Sequence, residues 1–344
     1  MKTAILLVNL GSPDSPQPKD VKRYLKEFLL DPKVVDSPWL LRQMLVRGVI
    51  VPNRYLDSAA SYSQVWTDEG SPLLSYTKDV VQELQNRFGP SVKIDFAMRY
   101  RNPSLSSILK QYEKEGIENL LVLPMFPQFA EATTGSIRDM IAKLLSRWKN
   151  PPWLRVIPHF ANLAGMLDAF AEHGKNAKEY DHVLLSFHGL PQKQLIKSDK
   201  KTAQCLSSPN CCEQRDLKDN CYRSHCLATA KGIVERLDLS SDQYSISFQS
   251  RLGKQEWLKP YTSDVIHSLL EKGVKKLLVF SPSFVCDCLE TLYEIDIEYR
   301  HLFMEAGGEK FDLVPGLNHD PKWIDALEVL LKQEIEDLLA VSAR

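Results

Sequence analysis

Short apolar runs alternate with amphipathic stretches along nearly the whole chain, and this alternation limits the fold more than any other feature of the sequence. The runs are rich in Val, Ile and Leu, which is typical of parallel strands that are covered on both faces. The stretches between them repeat apolar residues at helical spacing. The sequence therefore predicts an α/β protein with parallel sheets, four strands in each of two domains, and a domain boundary near residues 158–165.

The predicted strands are residues 4–10, 93–98, 119–125, 154–158, 182–187, 243–248, 275–280 and 311–314. The predicted helices are residues 21–30, 73–88, 105–115, 136–148, 165–172, 227–237, 263–272, 288–303 and 321–339.

Charge and hydropathy exclude several classes of protein. The chain has 43 Lys and Arg against 44 Asp and Glu, so its formal net charge of −1 gives no basic footprint for nucleic acid. No apolar stretch approaches the ~20 residues of a membrane span, and the run at residues 4–8 is too short for a signal peptide. We therefore expect a soluble, cytoplasmic protein in which disulfide bonds do not persist.

His188 stands where a strand is predicted to end and the chain to turn at Gly189. Ligands of open α/β sheets bind outside the carboxyl ends of the strands, and an imidazole there can accept a proton or bind a metal. A hydrogen bond to the turn explains the position equally well.

A row of carboxylates follows the seventh predicted strand. Asp287, Glu290, Glu294 and Glu298 recur at a spacing of three or four residues, which places them on one face of a helix. Asp287 and Glu290 fit a capping box, but capping does not explain Glu294 and Glu298, which repel their neighbours unless water or a cation intervenes. The row indicates either a path for protons or cations, or a solvated acidic face.

Five of the seven cysteines lie in one polar segment, at Cys205, Cys211, Cys212, Cys221 and Cys226. Free cysteines that serve only packing favour apolar cores, and the spacing does not match a paired C-x2-C zinc ribbon. Thiolate ligation of an iron–sulfur cluster or of an irregular zinc site is the better interpretation.

Residues 38–52 combine apolar side chains with arginines, and Arg54, Tyr62 and Trp66 follow closely. The segment predicts either a core helix or the lip of a cleft that touches a membrane surface. Arginine suits carboxylates and aromatic rings suit a flat ligand, so a planar acidic ligand would fit there.

These motifs together resemble ferrochelatase, the terminal enzyme of haem synthesis, over essentially the full length of the chain. The matching stretches are residues 6–13 (LLVNLGSP), 70–72 (GSP), 98–100 (MRY), 124–129 (PMFPQF), 185–191 (LSFHGLP), 248–253 (FQSRLG), 256–262 (EWLKPYT) and 287–292 (DCLETL).

The resemblance implies two similar Rossmann-like domains, each with a four-stranded parallel sheet, as in class II chelatases, with the active-site cleft between them. The expected bounds are residues 1–160 and 161–319, with a helix at 320–344 packing back on the first domain. The implied reaction is the insertion of Fe²⁺ into protoporphyrin IX to form protohaem. Coproporphyrin III, another metal or tetrapyrrole, and a porphyrin sensor or carrier that is not an enzyme remain as alternatives.

The resemblance also implies roles for single residues. His188 matches the active-site histidine, which takes protons or handles the metal. Glu290 matches its partner, which would also bind the substrate Fe²⁺ together with His188, and Glu294 matches the next acidic residue, a proton or cation conduit. Where some relatives carry a second histidine two residues before the glutamate, this chain has Cys288. The residues implied to contact the porphyrin are Leu10, Arg54, Tyr62, Ser71 and Trp257.

Some bacterial ferrochelatases hold a [2Fe–2S] cluster in an internal cysteine cluster, which agrees with the spacing argument. Adjacent cysteines point in different directions, so we expect Cys205, Cys212, Cys221 and Cys226 to be the ligands, with Cys211 as a substitute and zinc as the alternative metal. Peripheral membrane contact is expected through the apolar segment, and the sequence does not indicate the oligomeric state.

Overall fold

The computed structural model describes residues 2–199, 205–208, 210–212, 216–217, 219–251, 253 and 255–342. Its backbone divides into two units, each built on one parallel sheet of four strands within the described residues. Unit 1 comprises residues 1–126, 130–159 and 318–344, and unit 2 comprises residues 127–129 and 160–317. The α/β class with two four-stranded parallel sheets is confirmed.

In unit 1 the strand order is β2-β1-β3-β4, so the first strand of the chain lies in the interior of the sheet. The strands are β1 (Thr3–Asn9), β2 (Val92–Met98), β3 (Asn119–Pro124) and β4 (Trp153–Val156). The helices are α1 (Pro18–Leu29), α2 (Trp39–Leu45), α3 (Val51–Val65), α4 (Pro72–Phe88), α5 (Leu105–Glu115), α6 (Ser136–Leu145) and α12 (Pro321–Ser342).

Every residue of β1 is buried, which is why its sequence is a continuous apolar run without alternation. Ala4, Leu6 and Val8 pack with residues of α5 and α6 in one core cluster. The last helix of the chain belongs to this unit, and its Glu328 accepts a hydrogen bond of 3.0 Å from Arg87 on α4.

In unit 2 the strand order is β6-β5-β7-β8. The strands are β5 (His182–His188), β6 (Tyr244–Gln249), β7 (Lys276–Phe280) and β8 (Lys310–Leu313). The α-helices are α7 (Ala164–His173), α8 (Gln192–Ser198), α9 (Tyr222–Arg236), α10 (Thr262–Glu271) and α11 (Arg300–Glu305). β5 pairs with both β6 and β7, so its carboxyl end is flanked by strand ends on two sides.

In the part of the chain that the structure describes, three segments are π-helical, at Val46–Ile50, Glu131–Gly135 and Glu290–Tyr299. The helix predicted over residues 288–303 is therefore ten residues of π-helix continued by α11. A π-helix closes i→i+5 hydrogen bonds, and such segments are frequent at functional sites. Apolar periodicity cannot distinguish this wider turn from an α-helix over so short a stretch.

Two other helical predictions need correction. The helix predicted from residue 227 begins at Tyr222. The prediction missed the first turn because that turn is buried although it carries polar residues, so no amphipathic stripe marks it in the sequence. The interpretation of residues 38–52 as a core helix is wrong for most of its apolar residues, since Trp39, Leu40 and Met44 are exposed. Among the described residues, no helix is both long and apolar enough to cross a membrane.

Candidate active site

His188 is the last residue of β5, and its backbone is fixed from both sides. Its N–H donates to Ser283 Oγ over 3.1 Å, and its carbonyl accepts a 2.6 Å hydrogen bond from the hydroxyl of Tyr222. The imidazole lies beside two aromatic rings, with centroids 6.1 Å from Phe284 and 6.4 Å from Trp257. A strand end with these four neighbours holds the ring at the edge of the sheet, partly exposed.

The hydrogen bond of the imidazole determines its tautomer. Nδ1 of His188 lies 2.6 Å from the carbonyl oxygen of Gly189. Because a carbonyl oxygen only accepts, Nδ1 must carry the proton, and Nε2 of the neutral ring keeps its lone pair. The atom available to take a proton or to bind a metal is therefore Nε2.

Glu294 lies on the π-helix, and its carboxylate is held by hydrogen-bond donors at the end of β6. It accepts from the backbone N–H of Ser250 over 2.7 Å, from Gln249 Nε2 over 3.2 Å, and from the Ser250 hydroxyl. Ser250 adopts φ +65°, a left-handed conformation that is uncommon outside glycine. The turn after β6 thus directs both its amide and its hydroxyl to the carboxylate.

Burial is the largest influence on Glu294 and raises the pKa of its carboxyl above the ordinary glutamate value. The hydrogen bonds from Ser250 and the charge of nearby His188 act in the opposite direction, and Glu290 adds to the increase. His188 and Glu290 are therefore both close enough to Glu294 to influence its carboxyl electrostatically. A carboxyl with a raised pKa can hold and release a proton nearer to neutral pH.

Glu290 begins the π-helix, and its backbone carbonyl accepts a 3.1 Å hydrogen bond from Gln249 Nε2. Burial raises the pKa of the Cys288 thiol, and the adjacent Glu290 carboxylate raises it further. Cys288 is thus kept as a neutral thiol beside Glu290.

Asp287 has partners other than those that the capping-box interpretation assigns to it. Its carboxylate is buried, and it accepts hydrogen bonds from Thr291 Oγ1 over 2.9 Å and from the backbone N–H of Gly316 over 3.1 Å. The residue that precedes the π-helix is Leu289, which makes no side-chain cap. Asp287 therefore joins the start of the helix to the segment after β8.

The other residues predicted to contact a porphyrin lie in two places. Trp257 is in unit 2, where its ring neighbours His188. In unit 1, Leu10 directly follows β1, and Arg54 and Tyr62 lie on α3, where Arg54 is exposed and Tyr62 is buried. Ser71 is buried immediately before α4.

Cys221 directly precedes α9 and Cys226 lies one turn into it, whereas the backbone N–H of Cys205 donates to Asp199 after α8 over 2.9 Å. The sulfur atoms of Cys211 and Cys212 are 3.9 Å apart. A hydrogen bond with Cys221, the largest cause, raises the pKa of the Cys212 thiol, and burial raises that of Cys226. Among the residues that the structure describes, no three His, Cys, Asp or Glu side chains are arranged as a metal-binding group.

Ser250, Gln249, Ser283 and Tyr222 are site residues to which the sequence analysis gave no role. Three of them could have been predicted from the sequence. Gln249 is the last residue of β6, Ser250 follows it, and Ser283 lies shortly after β7. Ligands of open α/β sheets bind at such strand ends. Tyr222 gives no such signal, because it opens a helix far from a strand end in sequence.

Comparison with known proteins agrees with this geometry. The ferrochelatase family model matches residues 2–335. The ferrochelatase of Azotobacter vinelandii is 42% identical over 335 residues, covering 96% of this chain and 98% of the relative. That of Bdellovibrio bacteriovorus is also 42% identical over 335 residues, covering 96% and 99%.

Among solved structures, the sirohydrochlorin chelatase SirB of Bacillus subtilis subspecies spizizenii, in complex with cobalt, has a similar fold. Its TM-score is 0.54 at 13% identity, with 98% of this chain and 97% of that one covered. SirB from Bacillus subtilis with Fe³⁺ gives a TM-score of 0.55 at 12% identity, covering 97% and 96%. The two four-stranded parallel sheets are thus those of the class II chelatase fold. On the family match and the identity over nearly its whole length, the chain belongs to the ferrochelatase family.

Proposed function

We propose that this enzyme, which as a ferrochelatase inserts a metal ion into a porphyrin, uses Fe²⁺ and protoporphyrin IX and releases protohaem. The observation that carries the proposal is the group formed by His188, Glu290 and Glu294, with one basic imidazole nitrogen beside a carboxyl of raised pKa. A free-base porphyrin carries two pyrrole protons, and both must leave before the metal can occupy the four nitrogens.

In the proposed reaction, Nε2 of His188 accepts a pyrrole proton, and the imidazolium that forms is stabilised by Glu290 and Glu294. Glu294 then takes the proton, because its raised pKa makes the carboxylate a competent base near neutrality. The Ser250 amide and hydroxyl keep the carboxylate oriented in both protonation states. Trp257 and Phe284 beside the histidine suit the flat face of a macrocycle.

Substrate choice is tested directly by anaerobic turnover. Purified enzyme is assayed with protoporphyrin IX and with coproporphyrin III, each with Fe²⁺, and with Co²⁺, Ni²⁺ and Zn²⁺ as comparison metals. We expect the highest kcat/KM for Fe²⁺ with protoporphyrin IX. A higher value for coproporphyrin III would move the proposal to that porphyrin, and a preference for cobalt or nickel would overturn the choice of metal.

We further propose that the cysteine segment holds a [2Fe–2S] cluster through Cys205, Cys212, Cys221 and Cys226, with Cys211 able to substitute. The donor set fits, because an iron–sulfur cluster requires thiolates and the thiol groups of Cys212 and Cys221 are already hydrogen-bonded to each other. Metal insertion transfers no net electron, so the chemistry that a cluster would supply is a covalent crosslink within the segment.

Iron and sulfide analysis tests the cluster. Protein purified without oxygen should be reddish-brown and contain about two iron and two sulfide per chain. Cys221→Ser and Cys226→Ser should lose the colour, whereas Cys286→Ser, outside the segment, should keep it. Colourless protein with stoichiometric zinc would replace the cluster by a zinc site, and protein with no metal would overturn both.

For location, we propose a cytoplasmic enzyme that binds membrane surfaces reversibly through the exposed side chains of α2. Trp39, Leu40 and Met44 support this, because they are apolar and largely exposed at one short helix.

A further inference from the structure

Tyr222 is the first residue of α9, and its hydroxyl contacts the backbone of His188. The hydroxyl donates to the His188 carbonyl over 2.6 Å and lies 3.3 Å from Ser283 Oγ. Ser283 Oγ in turn accepts the His188 N–H. One phenol and one serine thus hold both backbone polar groups of the histidine.

The first turn of α9, which carries this phenol, also contacts the cysteine segment. Cys221 is the residue directly before α9, and Cys226 lies one turn into the helix, fully buried. In the same turn as Tyr222, the Ser224 hydroxyl donates to the Cys212 carbonyl over 3.2 Å, and the Arg223 guanidinium lies 3.8 Å from Cys212 Sγ. The position of the hydroxyl therefore depends on how the first turn of α9 is held.

The carbonyl that Tyr222 holds belongs to the peptide bond between His188 and Gly189. That peptide plane orients Gly189, whose own carbonyl accepts the proton of His188 Nδ1. The N–H of the same peptide donates to the Gln249 carbonyl over 2.8 Å, so the Tyr222 hydroxyl is one of two hydrogen bonds that fix the plane. Without the hydroxyl the plane is held from one side, the Nδ1–H···O contact loosens, and the preference for one tautomer weakens. The chain of contacts runs from Cys212 through the first turn of α9 to the Tyr222 hydroxyl, then to the peptide and the imidazole.

We propose that Tyr222 is a positioning residue that couples the cysteine segment to the tautomer of His188. The proposal rests on the proposed function for its kinetic consequence, but its structural claim is independent of the substrate. It gives the segment a role in the reaction that needs no electron transfer.

The test is Tyr222→Phe, which keeps the ring and removes only the hydroxyl. In protein labelled with ¹⁵N-histidine, the His188 imidazole signals, assigned from their loss in His188→Ala, report which nitrogen carries the proton. At a pH where the ring is neutral, wild type should show the Nδ1–H form, and Tyr222→Phe should shift towards a mixture of both tautomers. We expect kcat for metal insertion to fall about tenfold, within the ~100-fold that misplacement of a reacting group can cost. The Kd for porphyrin should stay within about twofold.

The matched control is Tyr180→Phe, which also removes a hydrogen-bonded phenol hydroxyl of unit 2, in this case from Asp312. It should leave the His188 signals and kcat unchanged. Should Tyr222→Phe fail to fold, Ser283→Ala removes the partner of the His188 N–H and should shift the same signals. The link to the cysteines is tested by Cys226→Ala, which should shift the tautomer in the same direction as Tyr222→Phe.

An unchanged tautomer in Tyr222→Phe, or an equal change in Tyr180→Phe, would overturn the positioning role. An unchanged tautomer in Cys226→Ala would overturn the coupling to the cysteine segment. Absence of iron insertion by wild type would instead contradict the proposed function, and the histidine signals would still decide the structural claim.

Discussion

A neutral histidine can act as a base only through the ring nitrogen that carries no proton, and the contact of His188 with Gly189 leaves Nε2 in that state. His188→Ala removes this atom together with the site where a metal could bind. We expect metal insertion to fall by about 10²- to 10⁴-fold, the usual contribution of general acid–base catalysis, while porphyrin still binds.

Steady-state assays and porphyrin fluorescence titration check this expectation. His301→Ala, which changes an exposed histidine of the same unit, is the control and should retain wild-type turnover. A His188→Ala enzyme that kept more than a few per cent of wild-type kcat would exclude the histidine from the proton transfer, since a catalytic base contributes ~10²-fold or more.

Glu294 gives a prediction about pH. Because its pKa is higher in the folded than in the unfolded chain, where the ordinary value is 4.5, the folded protein binds more protons between the two values. The free energy of unfolding therefore falls as the pH rises through this interval and is independent of this group below and above it. In Glu294→Gln this contribution is absent, so stability should fall less with rising pH in the interval, while kcat drops ~10²-fold.

Urea unfolding at a series of pH values, with kcat measured on the same samples, tests both halves of the prediction. Glu298→Gln is an informative comparison, because burial raises the pKa of that carboxyl too, although its side chain is exposed at the next turn of the helix. An unchanged pH dependence in Glu294→Gln would show that the carboxyl titrates alike in the folded and unfolded chain.

At the scale of the element, the π-helix Glu290–Tyr299 carries both glutamates that we propose to act with His188. Glu290→Gln keeps the shape of the side chain and removes its charge, so we expect loss of metal insertion with little change in stability. Were Glu290 only a capping residue, activity would persist and stability would fall by about 0.5–2 kcal/mol. Glu305→Gln, on α11 of the same continuous helix and exposed, is the control for surface charge.

The helix α2 carries a prediction about membranes. Trp39 is 66% exposed, and Leu40 and Met44 are each 64% exposed, whereas Arg42 is buried and donates to the Ser37 carbonyl over 2.7 Å. One apolar surface without a lipid anchor gives weak, reversible binding. We expect a fraction of the protein to float with anionic liposomes and Trp39→Glu to abolish the flotation.

The matched control for this experiment is Val329→Glu on α12, because Val329 is 67% exposed and lies away from α2 in sequence. It should float as wild type does. Equal loss in both variants would mean that added negative charge alone prevents binding, and no flotation of wild type with or without porphyrin would exclude the membrane contact.

At the scale of the whole molecule, the sequence predicted the structure best where a single requirement, such as burial on both faces of a strand, determines the residue types. β1 and β5 are buried on both faces, so their apolar runs identify them, and the strand-end rule then identifies His188. The hydrogen bonds of Glu294 were not predictable, because they depend on the left-handed backbone of Ser250 and on the register of β6 against β5. The family resemblance gave Glu290 and Glu294 roles that spacing alone left undecided between a conduit and a solvated face.

The described cysteines also combine a feature that the sequence predicted with one that it did not. Their clustering in a polar segment predicted a shared chemical role, but the start of α9 at Tyr222 depends on packing around a helix that has no apolar stripe. A contact between a phenol and a backbone carbonyl 34 residues earlier leaves no pattern in the sequence.

The way the chain divides between the units has a consequence for synthesis on the ribosome. Unit 1 contains the first strand and also α12, and nearly all of unit 2 lies between them in the chain. At the usual 5–20 residues per second, the ribosome needs on the order of ten seconds to pass through that interval. During this time the surface of unit 1 that packs against Trp323, Ile324 and Leu327 is exposed, because α12 has not yet been synthesised. The nascent chain therefore completes unit 2 before unit 1, and the apolar surface of unit 1 that is exposed in the meantime is one that a chaperone could cover.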